Sequence, residues 1–338
     1  MKQISFFLFF ILFIVGCKKD KSEGLHWTAI NNGLPNEWNN LELSEWINTM
    51  AIQGDNIYAS VQMVEDYGPG WEKGVYLSNN QGNNWTAVNN GLPHGLLVNT
   101  IVIQGNNIYA GMENKGVYLS SDNGNTWNAT NNMLIDTRVR AMAVQANNVY
   151  AGAWDKGIYL SSDTGKTWIA VNNGLNNYKI DAIACQGNNI YAGTYGGGLY
   201  FSNNNGSNWT SVNNGLPESS NIIDIAFQNN NIYAVANGTI YLSSDNGSSW
   251  TPKINGLPNI FEGSPDYKPD YNIRAIAVQG NNIYVGTGSG VYLSNNNGSN
   301  WTAINDGLPA NTGVWTLAIQ GNNIYAGTDE GVYITSNN

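Results

Sequence analysis

Short apolar runs alternate with polar turns along nearly all of the chain beyond residue 24, and the alternation repeats. One unit, Ile273 to Pro309, reads IRAIAVQGNNIYVGTGSGVYLSNNNGSNWTAINDGLP. Its four apolar runs are rich in β-branched and aromatic residues and are bounded by Gly and Asn, a composition typical of strands joined by tight turns. No helical period interrupts the pattern, so each unit predicts four antiparallel strands.

The unit recurs seven times with a nearly constant period. Each unit has a tryptophan at the same position. From Trp85 through Trp250 these tryptophans are 41 or 42 residues apart, and Trp301 follows after 51. The seven units start at Ile47, Val98, Val139, Ile180, Ile222, Ile273 and Val314. Four antiparallel strands repeated about every 40 residues predict the blades of a β-propeller.

The last unit stops after its third strand, and the missing part lies at the other end of the chain. Residues 24–35 read GLHWTAINNGLP, which matches the end of the turn, the fourth strand and the exit loop of the unit. We therefore predict an all-β fold with seven four-stranded antiparallel blades. The N-terminal strand joins the last blade and closes the ring, so that 24–338 form one domain.

The turn between the third and fourth strands reads SSDNGNTW at 120–127, SSDTGKTW at 161–168 and SSDNGSSW at 243–250. This pattern resembles the Asp-box (BNR) repeat of sialidases, xyloglucanases, sortilin-type receptor domains and a photosystem II assembly factor. The resemblance implies an architecture and leaves the activity open. Where Asn replaces Asp, as in Asn204, we expect the same turn, because its side-chain oxygen also accepts backbone N–H groups. The turns hold too few carboxylates for Ca²⁺, and we predict no metal and no cofactor.

Residues 1–17, MKQISFFLFFILFIVGC, read as a leader. The apolar run Ile4–Val15 is too short to span a bilayer and is typical of a signal peptide. Gly16-Cys17 resembles a bacterial lipobox, which implies cleavage before Cys17 and acylation of its thiol. Residues 18–23 would then be a polar tether to the outer membrane, on its periplasmic side or on the cell surface. The alternative is ordinary secretion with an incidental Cys17.

The net charge is −10, with three arginines in the whole chain. An acidic protein lacks the cations that displace counterions from nucleic acids, so we expect no nucleic-acid partner. The assembly factor that the chain resembles binds through a basic patch, which this composition does not predict. Cys185 lies in an apolar run and is interpreted as a small buried hydrophobe, which leaves no disulfide framework. We expect a monomer.

One face of the ring is predicted to carry the variable loops, with long insertions at 36–46, 61–73 and 259–272. Aromatic residues outside the Asp-boxes map to this face or to the channel mouth: Trp38, Trp46, Trp71, Trp154, Trp315, Tyr67, Tyr178, Tyr195, Phe261, Tyr267 and Tyr271. Carboxylates share these loops: Glu42, Glu45, Glu65, Asp66, Glu72, Asp155, Glu262, Asp266 and Asp270. This mixture predicts a surface for a glycan or a protein, unless the loops pack on themselves as a cap over the channel.

The second position of each inner strand is predicted to ring the channel mouth. These residues are Asn48, Asn99, Arg140, Asp181, Ile223, Arg274 and Trp315, with Asp224 beside Ile223. The arginines of this ring either clamp an anionic group or form structural ion pairs, with Asp181 beside Arg140.

These observations favour a binding or scaffold protein of the cell envelope with a glycan or protein partner. Its predicted ligand-binding residues are Trp38, Trp46, Trp71, Arg140, Trp154, Tyr195, Arg274 and Trp315. The alternative is a glycoside hydrolase or lyase with carboxylates at the channel mouth, for which the candidates are Asp155, Asp181 and Asp224. That chemistry needs two carboxylates flanking the bond, and no pair stands out. Enzyme activity is left open, with binding favoured: a sialidase-like site is disfavoured because Arg138 and Arg140 crowd one blade, and His26 and His94 suggest no catalytic triad.

Overall fold

The computed structural model describes residues 25–35, 45–63, 73–95, 97–130, 132–258 and 272–337. The predicted leader, its Cys17 and the tether lie outside the described residues, as do Trp38, Trp71 and most of the three long insertions. The same holds for Glu42, Glu65, Asp66, Tyr67, Glu72, Phe261, Glu262, Asp266, Tyr267, Asp270 and Tyr271, and for the side chain of Glu45.

The described residues form 28 strands in seven four-stranded antiparallel sheets, which we call blades 1 to 7. Blade 1 contains β2 (Glu45–Gln53), β3 (Asn56–Met63), β4 (Gly74–Ser78) and β5 (Thr86–Ala87). Blade 2 contains β6 (Val98–Gln104), β7 (Asn107–Met112), β8 (Gly116–Ser120) and β9 (Asn128–Ala129). Blade 3 contains β10 (Val139–Gln145), β11 (Asn148–Ala153), β12 (Gly157–Ser161) and β13 (Ile169–Ala170).

Blade 4 contains β14 (Ile180–Gln186), β15 (Asn189–Thr194), β16 (Gly198–Ser202) and β17 (Thr210–Ser211). Blade 5 contains β18 (Ile222–Gln228), β19 (Asn231–Ala236), β20 (Thr239–Ser243) and β21 (Thr251–Pro252). Blade 6 contains β22 (Ile273–Gln279), β23 (Asn282–Thr287), β24 (Gly290–Ser294) and β25 (Thr302–Ala303). Blade 7 contains β26 (Val314–Gln320), β27 (Asn323–Thr328), β28 (Gly331–Ser336) and, from the N-terminal end, β1 (Thr28–Ala29).

The chain ends close the ring as the repeat predicts. β1 pairs antiparallel with β28, with Thr28 opposite Ile334. The Asn31 side chain extends this junction, since its Oδ1 accepts the Val332 N–H at 2.7 Å and its Nδ2 donates to the Glu330 carbonyl at 3.1 Å. The seven-bladed fold with N-terminal closure is therefore confirmed.

The Asp-box turns hold the blades together. In blade 2, Asp122 Oδ1 accepts the Thr126 N–H at 2.9 Å, and these hydrogen bonds lower the pKa of Asp122. Asn204 accepts the equivalent N–H of Asn208 at 3.0 Å, as expected for the Asn variants. The Asp-box tryptophans are 1 to 3% exposed. Trp127 donates from Nε1 to the Val88 carbonyl of the preceding blade at 2.8 Å, so each buried indole packs between blades.

Two details differ from the sequence prediction. The fourth strands pair over two residues each rather than over a full run. The chain leaves the ladder there because the adjacent Trp127 N–H bonds to the Asn90 carbonyl of the neighbouring blade at 2.9 Å. Cys185 is half-buried rather than buried, and it packs at the edge of a core cluster, where burial raises the pKa of its thiol to about 12.

Every inner strand carries a β-bulge at the same place. In blade 3, Val139 pairs with Ala153 and Ala141 with Gly152, which leaves Arg140 as the extra residue. The same register shift occurs in the other six blades. A bulge bends the strand and redirects the side chain of the extra residue.

No helix among the described residues has the length and apolar character needed to cross a membrane.

Candidate functional site

A cavity of about 510 Å³ opens where the inner strands of all seven blades begin. Its lining includes all seven bulge residues: Asn48, Asn99, Arg140, Asp181, Ile223, Arg274 and Trp315. Because each inner strand borders the central channel, the cavity is the channel mouth on this face. Its volume falls in the usual range of small-ligand pockets, which is about 300–1,000 Å³.

A second tier of side chains completes the cavity, and sequence reasoning missed it. These lining residues are Gln62, Leu97, Glu113 and Arg138, together with the predicted Trp46. Trp46, Leu97 and Arg138 each lie two residues before a bulge residue, whereas Gln62 and Glu113 lie at or just after the end of the second strand. The two positions are paired by the backbone. The Glu113 N–H, for example, donates to the Leu97 carbonyl at 2.9 Å. An alignment of the seven repeats could have flagged these positions, because their residue types vary from blade to blade.

Arg140 is held by a carboxylate and an aromatic ring. Its Nε lies 3.2 Å from Asp181 Oδ1, and its Cζ lies 4.5 Å from the centre of the Trp154 ring. Trp154 contacts Tyr195 with their ring centres 5.2 Å apart, and Lys179 Nζ approaches both rings. Burial raises the pKa of Asp181 to about 6, although the Arg140 charge acts in the opposite direction.

Arg138 and Glu113 form a second ion pair at the cavity, from Nε to Oε1. Glu113 also accepts the Asn99 side-chain N–H at 3.1 Å through its other oxygen. Asp181 and Glu113 are the two carboxylates among the described lining residues, and each is paired with an arginine.

The opposite side of the cavity holds a stack of two indoles and a guanidinium. The Trp46 and Trp315 rings lie 5.5 Å apart at 32°, and Arg274 Cζ is 3.7 Å from the centre of the Trp315 ring. Trp315 Nε1 is buried and has no hydrogen-bond acceptor among the described residues. Asp329, whose oxygens accept the Gly313 N–H, lies near Arg274 but outside the lining residues.

The remaining predicted site residues lie elsewhere. Trp154 and Tyr195 stand behind Arg140 rather than among the lining residues, and Asp155 is exposed in the turn between β11 and β12. Asp224 is not a lining residue either, because its oxygens accept two backbone N–H groups, from Ile225 and Ile276. Burial raises its pKa to about 6, while these hydrogen bonds act in the opposite direction. Across the described residues, no three His, Cys, Asp or Glu side chains are grouped so as to hold a metal ion.

A ring of seven four-stranded blades with Asp-box turns and a polar cavity at one channel mouth defines an Asp-box β-propeller. Residues 197–337 match the model of the Sortilin-Vps10 family, described as sortilin, neurotensin receptor 3. Residues 63–177 match the model of the DUF6242 beta propeller domain. These two matches, together with the Asp-box turns and the shared fold, support the assignment of the chain to the superfamily of Asp-box β-propellers.

Solved structures with the same fold come from several kinds of protein. The extracellular domain of BT4673 from B. thetaiotaomicron matches with a TM-score of 0.71 and 18% identity, over 93% of this chain and 40% of that one. YCF48 bound to D1 peptide matches with a TM-score of 0.64 and 15% identity, over 88% and 95%. The GH74 xyloglucanase from Xanthomonas campestris matches with a TM-score of 0.68 and 17% identity, over 93% and 54%. Identities this low establish the fold alone, and no curated protein matches the sequence.

Proposed function

We propose that this protein is a binding propeller of the bacterial cell envelope that recognises its partner, a glycan in preference to a protein, at the channel-mouth cavity. The observation that carries the proposal is the lining itself, in which two indoles, three side-chain amides and three guanidinium groups converge from different blades. A concave site with a few converging polar groups is typical of ligand pockets.

The neighbouring structures are compatible with such a role. BT4673 contributes an extracellular domain, and YCF48 was solved with a bound peptide. The same framework thus serves in proteins outside the cytoplasm and in proteins that hold a partner, although fold alone does not fix function.

The proposed location rests on the leader sequence. Acylation of Cys17 would hold the propeller at the outer membrane, with residues 18–23 as the tether. Cys17→Ser would then release the protein from the membrane fraction. In the wild-type protein, mass spectrometry would find the mass of the lipid on the N-terminal peptide. A wild-type protein that is soluble and unmodified would overturn the anchor and leave the binding role intact.

A glycan array probed with the purified protein tests the binding role. Trp46→Ala removes an indole that lines the cavity, and we expect it to lose at least about tenfold in affinity, as for other aromatic anchors. Tyr178→Ala is the matched control, because Tyr178 is a 47% exposed aromatic residue that is not among the lining residues. Equal losses in both variants, or none in either, would contradict the assignment of the cavity.

The second candidate function is glycoside hydrolysis, and one observation favours it. Asp181 lines the cavity with its pKa raised to about 6 by burial, a property that suits a general acid. The second lining carboxylate argues against it, since both oxygens of Glu113 are already engaged, one by Arg138 and the other by Asn99. Product analysis on every bound glycan decides the matter: cleavage that is lost in Asp181→Asn would establish hydrolysis, and intact glycan would leave binding alone.

A further inference from the structure

We infer that the cavity binds a carboxylated glycan, an oligosaccharide that carries uronate groups. This inference rests on the proposed glycan-binding function and goes further, because it assigns the charge and the recognised group of the ligand.

The first observation is where the positive charge lies. The chain has a net charge of −10 and three arginines, and Arg138, Arg140 and Arg274 all line this one cavity. They face two carboxylates, Glu113 and Asp181, among the described lining residues. Asp329 lies near Arg274 behind the lining. A strongly acidic protein thus gathers all of its arginines at one cavity, and guanidinium groups are well suited to bind carboxylates.

The second observation is that Arg138 and Arg140 retain donors. A guanidinium carries five N–H groups, and Arg138 and Arg140 each engage a carboxylate through Nε. Their terminal amino groups make no hydrogen bond to a described residue, and the two side chains are 37% and 41% exposed. The aromatic face of Trp154 fixes Arg140 from the side. A guanidinium held in this way presents its planar edge, which matches the geometry of a carboxylate.

The third observation is a set of acceptors in blades 1 and 2. Asn48 and Gln62 donate from their side-chain nitrogens to backbone carbonyls of blade 2, and Asn99 donates to Glu113 and to a carbonyl of blade 3. Their side-chain oxygens accept nothing from the described residues, so they remain available to a ligand that donates hydrogen bonds.

These groups together select a sugar acid over a peptide. Sugar hydroxyls donate hydrogen bonds and so match the amide oxygens, while a uronate carboxylate matches the guanidinium edges. A peptide ligand gains much of its specificity from pockets for apolar side chains, and Leu97 and Ile223 are the aliphatic residues in the described lining.

Calorimetric titration of the purified protein with a matched pair of ligands tests the inference. Oligogalacturonate and its methyl ester share one backbone and differ in the charge of the carboxyl group. We expect the free acid to bind at least about tenfold more tightly, because charge-assisted hydrogen bonds are stronger than neutral ones. The difference should shrink at high salt.

Variants assign the effect to the cavity. Arg138→Gln should reduce binding of the free acid by about tenfold or more. Lys166→Gln, which removes one positive charge from an Asp-box turn on the opposite face, should leave it unchanged. Because Arg140→Gln would strand the carboxylate of Asp181, whose side chain is 6% exposed, the double variant Arg140→Gln/Asp181→Asn is the more informative probe at that position. Its thermal unfolding should stay close to that of the wild type while acid binding is lost.

Each outcome separates this inference from the proposed function. Equal binding of acid and ester would keep a glycan-binding propeller and overturn the anion assignment. Sulfated oligosaccharides binding as tightly as uronates would overturn the carboxylate assignment. If no glycan binds and a photo-crosslinker at position 46 captures an envelope protein, both the uronate assignment and the proposed glycan-binding function are wrong. The partner is then a protein.

Discussion

Asp224 in blade 5 accepts the backbone N–H of Ile276 in blade 6, with 2.9 Å between Oδ2 and N. Its other oxygen accepts the Ile225 N–H of its own blade at 2.8 Å, so one carboxylate joins two blades. The six other blades have Thr or Ala at this position: Thr49, Thr100, Ala141, Ala182, Ala275 and Thr316. This side chain is therefore a structural link rather than a member of the cavity.

Replacing this link should cost stability and spare binding. We expect Asp224→Ala to lower the free energy of unfolding by about 1–3 kcal/mol, because two backbone donors lose their acceptor. Urea unfolding measures the change, with Thr100→Ala at the equivalent position of blade 2 as the control. A variant that unfolds like the wild type, or one that loses ligand binding at unchanged stability, would contradict this role.

Stability should rise as the pH falls from about 7.5 to about 5. The pKa values of Asp181 and Asp224 are raised to about 6 in the folded protein, above the value of about 3.9 in an unfolded chain. Their neutral forms thus favour folding at low pH, and that contribution is lost as the pH rises through about 6. We expect a gain of about 1 kcal/mol from Asp181, measured by urea unfolding at the two pH values.

The Asp-box aspartates have the opposite effect on stability, which they lower in strong acid. Hydrogen bonds lower the pKa values of Asp163 and Asp245 to about 2, so their contribution is present above about pH 4 and is lost as the pH falls through about 2. Stability should therefore decline again in strong acid. Asp181→Asn should reduce the rise between about pH 7.5 and 5, leaving the contribution of Asp224, without affecting the decline in strong acid. An unchanged rise would contradict the assignment to Asp181.

Two Asp-box tryptophans offer a test of the interblade hydrogen bond. Trp127 Nε1 donates to the Val88 carbonyl at 2.8 Å, whereas the buried Trp168 Nε1 has no acceptor among the described residues. Both substitutions to Phe shrink a buried indole, but only Trp127→Phe removes a formed bond. We expect Trp127→Phe to be more destabilising than Trp168→Phe by about 1 kcal/mol. Thermal and urea unfolding compare them, and equal losses would indicate that the indole bond adds nothing to packing.

The closure of the ring can be weakened at one asparagine. Asn31 and Asn305 make equivalent hydrogen bonds to the third strand of their blades. The side-chain oxygen of Asn31 accepts the Val332 N–H, and that of Asn305 accepts the Val291 N–H. Each side-chain nitrogen also donates to a backbone carbonyl near the start of that strand. Asn31 joins the two chain ends, whereas Asn305 lies in a continuous blade. Both alanine variants should lose about 1–2 kcal/mol, but Asn31→Ala alone should speed amide exchange in residues 323–336. Faster exchange there in the Asn305 variant as well would contradict a special role for the closing strand.

The architecture could be predicted from the repeat. Each Asp-box tryptophan marks one blade, and the unit that is split between the chain ends predicts how the ring closes. The bulge residues followed from the same alignment. Gln62 and Glu113 stand at a position that varies in the same alignment, but their place beside the cavity was not predicted, since it depends on the strand register that sets Ile47 opposite Val61. The face of Trp154 was expected to meet a ligand, yet Arg140 covers it. Such side-chain pairing is decided by rotamers that the sequence pattern does not record.

The bulge in every inner strand separates recognition from folding. Each blade contributes one side chain, such as Asn48 or Arg274, that belongs to no ladder pair, while the pairs on either side keep the sheet intact. Exchanging these residues alters the chemistry of the mouth without changing the hydrogen bonds of the ladder. The seven positions are coupled in places, by the ion pair of Arg140 with Asp181 and by the contact of Arg274 with Trp315. A new ligand specificity can therefore arise from exchanges at single blades or at neighbouring pairs of blades, while the framework stays the same.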